Sequence, residues 1–356
     1  MTALGALAAA QVPSLLEHAG IAYSSSAPAD AVASLQHDLD AGTVTLDFDP
    51  AHGYLPAVLR ALKVPVASQG LVFSKTSLQL DRIAPWTPRA IYFNDDVYVG
   101  WVQGGPIMEI ATADPKLGAV FYTLDQHATD HPKFERQTQT CLLCHNSPQV
   151  TSSVPGFIMR SVYADRYGYA IPTAREVVTT DQTPLERRWG GWYVTGTVGS
   201  QRHLGNVIAP VTAHEISNVP NYEAGVDRSA KANVTDLSGL FNTKPYLSPH
   251  SDAVSLMVLA HQTHIHNLIT VAGYAARTGS PDQQVEAAVD RLVKGMLFAK
   301  ETALTAPVKG TSDFAAEFVE HGPRDHQGRS LRDLDLEHRL FRYPLSYMIY
   351  TESFDA

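Results

Sequence analysis

Cysteine is almost absent from this chain of 356 residues, which contains only Cys141 and Cys144. A chain of this length can bury enough apolar surface to fold without disulfide cross-links. Such scarcity is typical of proteins that pass through an oxidising compartment, where stray thiols would pair wrongly. We therefore expect the two cysteines to serve a chemical role rather than to stabilise the fold.

Basic clusters and long apolar runs are also missing. Lys and Arg total 27 against 36 Asp and Glu, which gives a formal net charge of -9. This balance argues against an electrostatic grip on nucleic acid, so nucleic acid is not an expected partner. The longest apolar run, "MTALGALAAAQ" at the N-terminus, is about half the length that a membrane-spanning helix needs. We expect no transmembrane segment.

The same N-terminal run is similar to the end of an export signal. Three alanines, residues 8–10, precede Gln11 in the small-residue pattern of a signal-peptidase site, although the usual positively charged region is missing. A start codon assigned too late or a trimmed signal would produce this pattern. An ordinary apolar N-terminal helix is the alternative. We expect an exported, periplasmic protein with a signal remnant at residues 1–10.

The residue pattern changes twice along the chain. Residues 1–65 contain helix-leaning segments separated by Pro and Gly. Residues 66–248 are rich in β-branched and aromatic segments, and the turn residues between them, including 94–96 and 114–118, predict antiparallel strands. This central part carries both cysteines.

Residues 249–356 have a helical pattern instead. A nearly continuous helix should end at Gly279, a second should run from Pro281 to about Glu301, and a third should begin at Ser330 and stop before Pro344. The sequence thus predicts an α+β fold with a helical C-terminal part, arranged either as three parts or as one compact domain.

The stretch "TCLLCHN" carries the strongest chemical signal in the sequence. In Cys141-x-x-Cys144-His145, the spacing allows two thiols to add to the two vinyl groups of one haem while the adjacent imidazole reaches the iron. The site would need no contribution from distant residues. The motif should lie in a loop or a brief helix among the strands.

Three other interpretations of this stretch remain open. A redox-active dithiol also uses two cysteines separated by two residues, and the histidine would then be incidental. A structural zinc site would need two more ligands, which distant histidines would have to supply. A coincidental pair of buried cysteines is the third alternative.

The motif resembles that of c-type cytochromes, over residues 141–145 alone. The resemblance implies one covalently bound haem c per chain, attached to Cys141 and Cys144, with His145 as an iron ligand. Small soluble cytochromes c are helical and carry the motif near the N-terminus, so here the haem would be set into a different and larger fold. The segments "RRWGGWYVTG" and "RHLGN" also look like those of uncharacterised bacterial proteins with a single haem motif.

The sixth iron ligand is left open by the sequence. Histidines are concentrated in "HQTHIHN", and another lies in a Gly-flanked loop, while two methionines could supply a thioether. The candidates are His203, His261, His264, Met159 and Met257, or no protein ligand. In the segment "RRWGGWYVTG", Arg187 and Arg188 are candidates for pairing with the haem propionates.

Two functions follow from a haem c. The first is electron transfer in the bacterial periplasm between redox partner proteins, and the mildly acidic surface is compatible with docking to a basic partner. The alternative is a haem c redox enzyme that acts on peroxide, a nitrogen oxide or a small organic substrate, for which the extra framework would build a pocket. A haem-based sensor is a third possibility, but no output domain is evident. The sequence does not indicate an oligomeric state.

Overall fold

The computed structural model of the protein describes residues 15–172, 174, 176–210, 212 and 231–355. The proposed signal remnant at residues 1–10 lies outside the described residues. Among the described helices, none combines the length and the apolarity that crossing a bilayer requires.

The centre of the molecule is a seven-stranded sheet in which every neighbouring pair is antiparallel. The strands are Gly70–Val72 (β1), Arg89–Phe93 (β2), Val97–Trp101 (β3), Ile107–Asp114 (β4), Gly118–Asp125 (β5), Phe134–Arg136 (β6), Arg160–Ser161 (β7), Val177–Val178 (β8) and Trp192–Tyr193 (β9). The sheet order is β6-β5-β4-β3-β2-β1-β9. A separate two-stranded ladder joins β7 and β8.

Two tight turns set the register of the central strands, as the sequence predicted. Between β2 and β3, the Asn94 side chain accepts hydrogen bonds from the backbone N–H groups of Asp96 and Val97. Between β4 and β5, Asp114 accepts two backbone hydrogen bonds within its turn, which closes at Gly118 with φ of 72°. Short side chains that bond the following backbone and a glycine with positive φ are what such turns require.

The two faces of this sheet are covered to different extents. One face, which includes Tyr92, Val99, Ile110 and Tyr122, is fully buried, and Tyr122 donates a hydrogen bond to Asp30. That residue caps the first helix, Ala31–Asp40 (α1), which is followed by Leu55–Ala61 (α2). On the opposite face, several side chains remain half-buried. We call this the half-covered face and define it by Arg89, Ile91, Glu109, Ala111 and Thr123.

The longest helices lie in the C-terminal part, which confirms the predicted α+β architecture. The two longest are Ala253–Arg277 (α4) and Asp282–Met296 (α5). Phe314–Glu320 (α6) is shorter, and Leu142–His145 (α3) is a single turn. The first half of α4 is buried on all sides, which explains its almost uninterrupted apolar sequence. One contiguous hydrophobic core includes side chains from the N-terminal, central and C-terminal parts.

The helix predicted from Ser330 is wrong, because residues 330–344 form turns and an isolated bridge between Leu334 and Phe341. The expected capping interaction does form, since the Asp333 carboxylate accepts the Ser330 N–H. No helix follows because Arg332 is held by Asp95 and Leu336 adopts a positive φ of 62°, which a helix cannot contain.

We expect Asp252→Ala to lower the free energy of unfolding by about 3 kcal/mol, which urea denaturation would measure. The buried Asp252 carboxylate accepts the N–H groups of Val254 and Ser255 at the start of α4. It also accepts the N–H groups of Thr311 and Ser312, so its loss would leave donors of two segments without an acceptor.

Asp313→Ala is the matched control, because Asp313 precedes α6, is exposed and makes no capping hydrogen bond through its side chain. It should change stability by less than about 0.5 kcal/mol. Equal effects of the two substitutions would show that Asp252 does not hold the two segments together.

Candidate haem-attachment site

The cysteine motif forms one exposed helical turn, in agreement with the sequence prediction of a loop or brief helix. The turn closes through a hydrogen bond from the His145 N–H to the Cys141 carbonyl at 3.0 Å. Leu142 is buried and fixes the turn to the core, whereas Leu143 is 69% exposed. Both cysteines are free thiols, with Cys141 half-buried and Cys144 exposed. The two sulfur atoms are therefore not joined to each other in a closed interior.

A hydrogen bond fixes the orientation of the His145 imidazole. Its Nδ1 atom lies 2.8 Å from the Gly156 carbonyl oxygen. Because a carbonyl can only accept, Nδ1 must carry the proton, and the neutral ring keeps its lone pair on Nε2. Within the described part of the chain, no hydrogen bond engages Nε2. This is the arrangement of a metal-binding histidine, whose second nitrogen is held by a backbone carbonyl.

The carbonyl that holds His145 is itself positioned by α4. The Asn267 amide accepts the Phe157 N–H and donates to the Phe157 carbonyl, each at 2.8 Å. A Cβ atom at Gly156 would come within 2.5 Å of the Asn267 oxygen, so the close approach requires glycine. The Gly156 N–H returns a hydrogen bond to the His145 carbonyl at 2.9 Å. His145 and Gly156 are therefore joined by hydrogen bonds in both directions.

His145 is held neutral by its surroundings. Burial of the ring lowers its pKa to about 4, and the positive charges of Arg89 and Arg160 act in the same direction. The ring packs on Phe121 of β5, with the two centroids 4.7 Å apart. At neutral pH the imidazole is therefore unprotonated at Nε2 and oriented on an apolar support, as a metal ligand must be.

The Cys141 thiol does not have the character of a reactive dithiol. Burial raises its pKa to about 12, and the negative charge of Glu109 adds to this effect. Redox-active pairs depend on a lowered pKa, so this environment disfavours the dithiol interpretation. The exposure of Cys144 likewise disfavours a coincidental pair of buried cysteines.

The zinc interpretation also finds no support in the arrangement of ligands. Across the described residues, no group of three or more His, Cys, Asp or Glu side chains is placed to hold a metal ion. Within the part of the chain that the structure describes, the two additional ligands that a structural zinc site would need are not assembled around Cys141 and Cys144.

His203 has no lone pair available in this arrangement. Its Nε2 atom lies 3.0 Å from the Ala232 carbonyl oxygen and must donate to it, while its Nδ1 accepts the Gly205 N–H. The ring is fully buried against Trp189. Burial lowers the pKa of His203 to about 4, which is consistent with a neutral histidine that is satisfied within the core.

His261 and His264 come together around a buried carboxylate rather than around the motif. The Asp181 Oδ1 atom lies 2.6 Å from Nδ1 of His264 and 3.9 Å from Nδ1 of His261. On its other side, His261 Nε2 lies 2.7 Å from the Ser346 hydroxyl oxygen. Burial by itself would raise the pKa of Asp181, but the two histidines outweigh it and hold this pKa well below its usual range.

The remaining candidates are embedded in the interior. Met159 and Met257 are buried, and no hydrogen bond or ring contact in the described part joins any candidate histidine to His145. Arg188 is also buried and donates to the backbone carbonyls of Thr183 and Asp181. Its guanidinium is thus engaged within the protein, which disfavours the expected role with haem propionates.

Comparison with known proteins gave no relative. No family model, no curated protein and no solved structure matches the chain.

Sequence reasoning missed the residues that support the motif. Gly156, Asn267 and Phe121 have no sequence signal that connects them with Cys141 or His145, because each acts through a backbone atom or a ring contact created by folding. The predicted attachment residues, in contrast, lie together by virtue of their spacing in one helical turn.

We expect Asn267→Ala to lower the free energy of unfolding of the haem-free protein by about 2 kcal/mol, because two backbone groups of buried Phe157 lose their partners. Asn242→Ala, at an exposed position whose side chain accepts one local hydrogen bond, is the control and should have little effect. Urea unfolding of both variants provides the measurement. A loss at Asn267 no larger than at Asn242 would contradict the proposed anchoring.

Proposed function

We propose that the protein carries one covalent haem c and transfers single electrons between redox partner proteins in the bacterial periplasm. Cys141 and Cys144 would attach the macrocycle, and His145 would coordinate the iron through Nε2. The observation that carries the proposal is the hydrogen bond that directs His145 Nδ1 to Gly156 and leaves the Nε2 lone pair free.

The two thiols meet the requirements of attachment. Each S–H adds across one vinyl group, so that sulfur bonds to one vinyl carbon and the hydrogen ends on the other, with no net oxidation. Both cysteines are unpaired, and Cys144 is exposed on the helical turn that carries them. The bound haem would supply an iron centre that accepts or releases one electron.

The surface position of the turn favours electron transfer. Cys144 is exposed and its neighbour Leu143 is 69% exposed, so a macrocycle bonded to Cys144 would have an edge near solvent. A partner protein could then approach that edge closely, and exposed apolar side chains are common at such contacts. This is the feature that an electron carrier needs and that a fully enclosed cofactor lacks.

A second candidate, a haem c redox enzyme for peroxide, a nitrogen oxide or a small organic substrate, is favoured by one observation. Among the described residues, no candidate histidine for the sixth ligand is joined to His145 by a hydrogen bond or ring contact, and His203 has no free lone pair. An iron without a sixth protein ligand would have a position open to a small substrate.

Replacing both cysteines, as Cys141→Ala with Cys144→Ala, should abolish covalent haem when the chain is expressed with a cytochrome maturation system. Haem staining that survives a denaturing gel is the measurement. Ser147→Ala should keep its stain, because that hydroxyl contacts only the Gln149 side chain among the described residues. Persistent staining of the double variant would overturn attachment through this pair.

Carbon monoxide should distinguish the two functions. An electron carrier with two protein ligands on its iron should show a low-spin reduced spectrum that does not change when the gas is added. A rapid shift of the Soret band would instead reveal an open sixth position and support the enzyme. The measurement is the absorption spectrum of the anaerobically reduced protein with and without the gas.

A further inference from the structure

We propose that the haem ring lies on the half-covered face of the central sheet, beside Ile91 and Ala111, and that Arg89 and Arg160 bind its propionates. This inference rests on the proposed haem attachment and specifies where the attached group is received. It assigns a binding role to side chains that the cysteine motif does not include.

The strand register places two apolar side chains, which form a small apolar surface, beside the Arg89 and Glu109 ion pair on this face. Ile91 of β2 lies opposite Gly100 of β3, and Gly100 lies opposite Glu109 of β4. Side chains two residues apart along a strand share a face, so Ala111 lies next to Glu109 on the same side. Ile91 and Ala111 are only partly buried, whereas buried Gly100 between their strands is bordered by the Arg89 and Glu109 side chains. A flat group would therefore contact the Ile91 and Ala111 side chains beside this ion pair.

This surface adjoins the attachment turn. Ala111 lies directly opposite Phe121 across the β4 and β5 ladder, and the Phe121 ring supports His145 at a centroid distance of 4.7 Å. Cys141 is likewise a partly buried side chain packed at the edge of the same core. Cys141 and His145 thus lie beside this partly buried apolar surface, rather than on the opposite, fully buried face.

Arg89 lies on the same face and retains unused donors. One of its terminal nitrogens donates to Glu109 at 2.8 Å, but its Nε atom is buried without a hydrogen-bond partner. Glu109 is satisfied independently, since it also accepts from Ser77 and Gln79. A buried donor without an acceptor is unfavourable, and a propionate carboxylate would supply the missing acceptor in a charge-assisted bond.

Arg160 approaches this face from the neighbouring edge of the sheet. Its carbonyl accepts the Trp192 indole N–H at 2.7 Å, and Trp192 and Arg89 pair with Val72 from opposite sides. The three side chains at these paired positions therefore share one face. The Arg160 side chain is about one third exposed and pairs with Glu176 through Nε at 3.0 Å. Among the described residues its terminal nitrogens make no hydrogen bond, so they are available to a carboxylate.

The test uses the haem-loaded protein and its reduction potential. A nearby positive charge disfavours the oxidised iron, and a nearby negative charge favours it. Arg89→Gln and Arg160→Gln should therefore each lower the potential, while Glu109→Gln should raise it. Redox titration followed by absorption spectroscopy gives all three values.

The Arg339 and Glu301 pair provides matched controls. A terminal nitrogen of Arg339 lies 3.0 Å from a carboxylate oxygen of Glu301, and the arginine is partly exposed. Its guanidinium packs on the ring of Phe298, just after α5. Arg339→Gln and Glu301→Gln should shift the potential far less than the corresponding changes at Arg89 and Glu109. Shifts of the same size in the two pairs would overturn the proposed location.

A vibrational measurement separates direct binding from a distant charge effect. The propionate bending band in the resonance Raman spectrum should shift in Arg89→Gln and Arg160→Gln but not in Arg339→Gln. Arg89→Lys keeps the positive charge, so its reduction potential should stay close to that of the unaltered protein. It should still shift the propionate band, because the forked guanidinium is lost. Bands that stay unchanged in both Gln variants would contradict propionate binding.

Failure of this inference is distinguishable from failure of the proposed function. If the unaltered chain acquires no covalent haem, the attachment proposal is wrong. If it acquires haem but the substitutions at Arg89, Glu109 and Arg160 shift the reduction potential no more than the control substitutions do, only the location is wrong. Should Arg89→Gln reduce folding, judged by its thermal unfolding, the more exposed Arg160→Gln still decides the outcome.

Discussion

The hydrogen bond from His145 to the Gly156 carbonyl is the constraint on which the proposed haem site depends. A free imidazole can exchange its proton between two nitrogens, and either nitrogen can face a metal. Once the carbonyl takes Nδ1–H, the lone pair is confined to Nε2 and points away from that carbonyl. Burial completes this arrangement, because it lowers the pKa to about 4 and keeps the ring neutral.

The two faces of the central sheet are covered to different extents, and His145 packs on Phe121 of the half-covered face. One face is fully buried, and its side chains form part of the core. The other face is closed only in part, by α4 and the segment that follows the motif, through the contacts of Asn267 with Phe157. A chain that needed only stability would gain by covering both faces. Because this face is only partly covered and adjoins two free thiols, it is the surface on which we propose that the cofactor binds.

Secondary structure was predictable wherever local chemistry agreed with packing. The turns at Asn94 and Asp114 formed as expected because their side chains bond the backbone two and three residues ahead. The helix expected from Ser330 failed although its capping interaction exists, because Arg332 is fixed by Asp95 and stacks on the rings of Phe318 and Tyr347. These partners are distant in sequence, so no local pattern reveals them.

The sequence by itself determined the haem hypothesis, since Cys141, Cys144 and His145 share one helical turn at any position in a fold. It also indicated the antiparallel centre and the buried helix α4, because both are encoded by local periodicity. Only the tertiary structure decided which nitrogen of His145 is free, that both ring nitrogens of His203 are hydrogen-bonded, and that Arg188 is buried and bonds backbone carbonyls. Those outcomes depend on contacts between segments far apart in the chain, and such contacts exist only after folding.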